Sequence, residues 1–107
     1  VVWIMEKEFK ALENLRNLIG ENVTYLDGYE DIVCCFDYTE EEIIVEDTNI
    51  YSNFDGYGQC KRVNAYENRI DSEIYELYVS EDGLLVDVNV VVMKKTRGQA
   101  PLYKKQK

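Results

Sequence analysis

Tyr75-Glu76-Leu77-Tyr78-Val79-Ser80-Glu81-Asp82-Gly83-Leu84-Leu85-Val86-Asp87-Val88-Asn89-Val90 is the stretch that decides the fold. Asp82-Gly83 is a two-residue hairpin turn signal flanked by alternating apolar residues. Pairing outward from it sets Val79 opposite Val86, Leu77 opposite Val88 and Tyr75 opposite Val90. The other face sets Tyr78 against Asp87 and Glu76 against Asn89, which suits water. A slip of one residue would turn every apolar side chain to the wrong side, so this register is strongly specified. Leu85 and Val91 break the alternation and make the last strand apolar on both faces. Such a strand needs cover on both sides. A helix supplies one cover, and a second copy of the chain is the expected source of the other.

Upstream of the hairpin, residues 60–66 predict a strand, and residues 67–72 a loop. Residues 47–59 are dominated by Asn, Asp, Ser and Gly and predict one long irregular loop. Residues 23–26 and 32–36 predict two more strands, with Asp27-Gly28 as the turn between them. Ile32, Cys34 and Phe36 alternate, and Ile43 and Val45 continue the phase if Phe36 pairs with Ile43. Met5, Phe9, Leu12, Leu15, Leu18 and Ile19 recur at three- and four-residue steps, the period of an amphipathic helix over residues 5–19. Gly20 stands where a C-terminal cap belongs. The expected class is α+β: an N-terminal helix packed on a five- to six-stranded antiparallel meander. Residues 1–95 form one domain in this reading. From Thr96 the apolar pattern stops, and residues 96–107 form a flexible basic tail.

Leu18-Ile19-Gly20, Val23, Leu26-Asp27-Gly28, Phe36-Asp37 and Ile43 to Asp47 together resemble the opening of Sm-like domains. The resemblance covers residues 18–47 and implies a small SH3-like barrel. Sm-like proteins bind RNA, a role for which this chain's charge has the wrong sign.

Charge is the second strong signal. Residues 21–60 carry eleven carboxylates and neither Lys nor Arg. Residues 21–93 have a net charge of −15, residues 94–107 of +6, and the whole chain of −9. An acidic body repels polyanions and attracts cations or basic partners. Nucleic-acid affinity rests on Lys and Arg neutralising phosphates, so the body is not expected to bind DNA or RNA directly. Nine Tyr, three Phe and one Trp argue for a packed core rather than an acidic disordered chain.

Several chemistries have no residues to carry them. The chain has no histidine, which removes Ser–His and Cys–His nucleophile pairs. Neither G-x-G-x-x-G nor a P-loop occurs. The three cysteines have no zinc-ligand spacing. An odd cysteine count without a secretory leader points to a reducing, cytoplasmic setting, with Cys60 as the candidate reactive thiol. Val1-Val2-Trp3-Ile4 is too short for a signal-peptide core, and Met5 is taken as the natural start. No apolar stretch approaches the ~18 residues of a membrane span. A calcium loop centred on Gly56 puts Tyr51 first and Arg62 twelfth, where acids belong. A weaker cation site would draw on Asp47, Asn49, Asn53 and Asp55 of the 47–59 loop.

The leading expectation is a non-enzymatic acidic binding module that engages a basic protein and needs no cofactor or metal. Its partner-binding residues are Asp27, Glu30, Asp31, Asp37, Glu40, Glu41, Glu42, Glu46 and Asp47, with Tyr51, Phe54 and Tyr57 as apolar anchors. A sharper form is a nucleic-acid mimic whose carboxylates stand in for phosphates. Small acidic anti-restriction and anti-CRISPR proteins of phages and mobile elements work in this way. The alternatives are a homo-oligomeric accessory protein and a small-ligand or cation binder.

Overall fold

The computed structural model describes residues 2–24, 28–70 and 72–92, with backbone alone at residues 2–9 and 92. Two helices, α1 (Val2–Asn17) and α2 (Glu30–Cys34), precede four strands. These are β1 (Ile43–Phe54), β2 (Gly58–Glu67), β3 (Glu73–Val79) and β4 (Leu85–Val92). The strands form one antiparallel meander in the order β1-β2-β3-β4. The class is α+β, as the patterning predicts. Among the described residues the strand count is four rather than five or six, and β1 and β4 are the outer strands and do not pair with each other, so the sheet does not close into a barrel.

The segment that departs from expectation is residues 23–36. Ile32, Cys34 and Phe36 do not alternate on a strand; residues 30–34 are helical. Ile32, Cys35 and Phe36 are buried while Cys34 is exposed, which is the face of a helix with steps of three and four. Ile43 therefore pairs with Glu67 of β2 and not with Phe36. Val23 is buried and donates its N–H to the Gly83 carbonyl at 2.9 Å, and Asn22 bridges to Leu84; Val23 and Thr24 bend rather than join a strand, and residues 25–26 of the predicted strand lie outside the described residues. Asp27 lies outside the described residues.

The predicted 47–59 loop is likewise a hairpin. β1 runs on to Phe54, and Asp55-Gly56-Tyr57 turns the chain into β2. The Tyr57 N–H donates to the Phe54 carbonyl across 3.0 Å. The two strands keep one register from Ile43↔Glu67 to Asp47↔Val63 and another from Tyr51↔Lys61 to Phe54↔Gly58. Thr48, Asn49 and Ile50 face a single residue, Arg62, across this bulge. Asn49 adopts φ 61°, a conformation Asn tolerates better than most residues. The Thr48 hydroxyl stitches the bulge shut, donating to the Arg62 carbonyl at 2.7 Å and accepting the Ile50 N–H at 3.1 Å.

The β3–β4 hairpin matches its predicted register over Leu77↔Val88, Tyr78↔Asp87, Glu76↔Asn89 and Tyr75↔Val90. Only the turn differs. Gly83 takes φ 88°, its N–H donates to the Ser80 carbonyl at 2.9 Å, and Val79 pairs with Leu85 instead of Val86. A three-residue turn and a compensating bulge thus leave the rest of the ladder unshifted.

The core lies between one face of the sheet and both helices. Val63, Ala65, Tyr75, Leu77, Val79 and Val88 meet Ala11 and Leu15 of α1 and Ile32, Cys35 and Phe36 at and beyond α2. Phe36 and Tyr75 meet edge to face, with ring centroids 5.4 Å apart. On α1 the buried stripe is Ala11 and Leu15 with Leu12 and Leu18 beside it. Ile19, predicted to face the core, lies beyond the helix end and is 42% exposed. Gly20, at φ 95°, ends the helical segment and donates its N–H to the Leu85 carbonyl at 2.8 Å. The side chains of Met5 and Phe9, and the predicted tail at 96–107, lie outside what is described.

Candidate functional site

The acidic stretch is built by α2 and the turn after it. Tyr29 enters α2 at φ 57°, and its carbonyl accepts the Ile32 and Val33 N–H groups at 3.0 and 3.1 Å. Glu30 and Asp31 fill the first turn, where carboxylates face the positive end of the helix dipole. Glu30, Asp31, Asp37, Glu40, Glu41 and Glu42 are all exposed. The turn leading into β1 is fixed at two points. The Thr39 hydroxyl accepts the Glu41 N–H at 3.1 Å. Asn68 donates its N–H to the Glu42 carbonyl at 2.8 Å and its amide to Glu42 Oε1 at 3.1 Å.

Two predicted acids leave this surface. Glu46 is 4% exposed, on the sheet face away from the core, and its Oε2 accepts the Tyr66 hydroxyl at 3.2 Å. Asp47 stays half-exposed but is engaged: Tyr29 donates its hydroxyl to Oδ1 at 3.1 Å, and Lys61 Nζ stands 3.4 Å from Oδ2. Burial first, and then Asp47, push the Tyr29 hydroxyl pKa up from 10.0 to about 12. Lys61 and Tyr29 carry no motif, and only the pairing of β1 with β2 and the docking of α2 bring them to Asp47.

The three aromatic anchors do not join the acids of the 37–42 turn. Tyr51 and Tyr57 are each 51% exposed at the far end of β1, which, bulge included, runs beside ten residues of β2, about 30 Å at strand rise. Phe54 turns to the other face and packs on Tyr78, ring centroids 5.1 Å apart. The expected single surface of acids and aromatics is thus two surfaces. Between them opens a cleft of about 350 Å³, lined in part by Tyr29, Tyr51, Gln59, Lys61, Ser80 and Glu81. Lys61, already engaged by Asp47, is its one cationic wall among the described residues.

The sheet face away from the helices is polar at its centre. Glu46, Asn64, Glu76 and Asn89 stand in one cross-strand row. Arg62 Nη1 lies 3.5 Å from Glu76 Oε2. Arg62 Nε and Asn64 Oδ1 are buried without a hydrogen-bond partner among the described residues. An orphaned buried polar atom costs about 1–3 kcal/mol. The hairpin pattern gives Glu76 opposite Asn89, but Glu46 and Asn64 join them only when all four strands align.

The cysteines are redistributed as well. Cys60, the predicted reactive thiol, is fully buried, and burial pushes its pKa up. Cys35 is buried against the core; burial first, then Cys34 and the nearby Asp31 and Asp37, push it up from 9.0 to about 11. Cys34 is the exposed thiol.

Among the described residues, no three His, Cys, Asp or Glu side chains stand together as a metal-binding group, and no helix is long and apolar enough to cross a membrane. No protein-family model matches this chain, and no curated protein or solved structure is significantly similar to it.

Proposed function

We propose that this chain is a non-enzymatic binding module that presents the face formed by α2 and residues 37–42 to a basic protein. One observation carries the reading. Glu30, Asp31, Asp37, Glu40, Glu41 and Glu42 are exposed together, and no Lys or Arg among the described residues lies within ion-pair distance of any of them. Clustered like charges repel one another, and a cationic surface relieves that repulsion. Complementary charge would speed association and make it sensitive to salt. In its finer form the module is a nucleic-acid mimic of the anti-restriction or anti-CRISPR type, with carboxylates in the place of phosphates.

The test is capture of the partner from the native host at low salt, followed by charge reversal. Asp37→Lys, Glu40→Lys and Glu41→Lys alter acids with no side-chain partner among the described residues, so the fold should survive. Binding is expected to weaken at least tenfold, about 1.4 kcal/mol, with a flatter salt dependence. Unchanged affinity would reject the acidic face. For the mimic form, duplex DNA and this chain should exclude each other from the captured partner; a ternary complex would refute it.

A further inference from the structure

We propose that β1 pairs edge to edge with β1 of a second copy, antiparallel about a two-fold axis at Ser52, so that two four-stranded sheets become one of eight strands. Thr48-Asn49-Ile50-Tyr51-Ser52-Asn53-Phe54 contains no charged residue and no proline. Among the described residues, its outer edge has no backbone partner. Exposed edges are usually guarded by lysine, proline or inward charge, because free N–H and C=O groups invite another strand. The bulge at residues 48–50 is the one such device here, and it ends where the regular pairing of Tyr51 begins. The start of the opposite edge is covered: Gly20 and Glu21 exchange backbone hydrogen bonds with Leu85 of β4.

The same residues form an arm. β3 pairs with β2 only from Lys61 to Ala65, so residues 52–60 project beyond it as a two-stranded ribbon with Ile50 and Tyr51 at its base. A two-stranded ribbon is marginal in water by itself. This one is braced by Phe54 on Tyr78, yet leaves Ile50 at 43% and Tyr51 at 51% exposed.

The edge is also self-complementary. With the axis at Ser52, Ile50 of one copy meets Phe54 of the other, Tyr51 meets Asn53, and Asp55 meets Asn49. No like charges face each other. Moving the axis to Tyr51 sets Asp47 against Asp55. Moving it to Asn53 sets Tyr51 against Asp55 and loses the Ile50–Phe54 pair. The acids of the preceding turn do not oppose this contact. Glu42 is ten residues from the axis, but the bulge sets three of them against one, which leaves about 26 Å along the strand, about three Debye lengths at physiological salt.

Light scattering on the full chain tests the proposal. The expected mass is twice the 12.6 kDa of one chain; a monomer throughout a dilution series overturns the proposal. Ile50→Lys with Tyr51→Lys should halve the mass with an unchanged far-UV spectrum, and a dimer that survives both changes overturns the edge contact. A second route does not depend on those variants. Directly opposed antiparallel residues have Cα atoms about 4.5–5.5 Å apart, within disulfide reach. In a Cys34→Ser background, Ser52→Cys should cross-link the two copies on oxidation, and Tyr57→Cys should not. The reverse result refutes the register.

Discussion

Tyr29 donates its hydroxyl to Asp47 across 3.1 Å, and that bond fastens a five-residue helix to a strand. α2 is too short to be stable alone, so its position depends on such ties. Tyr29→Phe should lower stability by about 1 kcal/mol near neutral pH, because Asp47 keeps Lys61 and is not orphaned. The pH profile gives a second reading. The Tyr29 hydroxyl titrates at about 12 in the fold against 10.0 when free, owing to burial and then to Asp47. The folded chain therefore holds that proton more tightly, and stability should fall as pH rises from 10 to 12. Cys35, raised from 9.0 to about 11, contributes a fall of the same sign from pH 9. Urea titrations across pH 8–12 should show the variant losing only the later fall.

Phe36→Ala tests the other anchor of this segment. Phe36 is 2% exposed and meets the Tyr75 ring edge to face. Its removal should cost about 3–5 kcal/mol and melt α2 before the sheet. Hydrogen exchange at residues 30–36 should rise well before exchange in β3. Uniform loss of protection would mean that α2 is not a separable unit.

Gly83 and Gly56 share a left-handed backbone but differ in surroundings. A Cβ on Gly83 would collide with the Thr24 hydroxyl, whereas a Cβ on Gly56 meets open space. Both alanine variants should lose about 1 kcal/mol to backbone strain. Gly83→Ala should lose at least about 1 kcal/mol more for the overlap, read as a lower denaturation midpoint. Equal losses would show that the 80–84 turn does not press on residues 22–24.

Thiol accessibility should follow burial. A maleimide reagent applied to the native chain is expected to label Cys34 alone. Cys35 and Cys60 should react only on unfolding, since both are buried and less readily ionised. Native labelling of Cys60 would contradict the packing of β2.

Much of the sheet could be read without coordinates because hairpins are local. In β3 and β4 the partners are neighbours in sequence, so alternation and one Asp-Gly turn determined the pairing of Tyr75, Leu77 and Tyr78. The helix at residues 30–34 could not be read in the same way. Ile32 and Phe36 are four apart, a spacing that suits one face of a strand and one face of a helix alike. Burial of Cys35 rather than Cys34 separates the two, and that depends on the sheet beneath.

Local composition also concealed the arm. Residues 47–59 use loop-forming types, yet β2 supplies an antiparallel partner for Tyr51 to Phe54. The abundance of acids was plain from the chain alone, because charge is additive along it. Which acids face outward was a tertiary matter. Glu46 and Asp47 adjoin in sequence, but one accepts the Tyr66 hydroxyl and the other Tyr29 and Lys61. Pattern and charge follow from residue order, whereas burial and partnership arise only when distant segments share the same space.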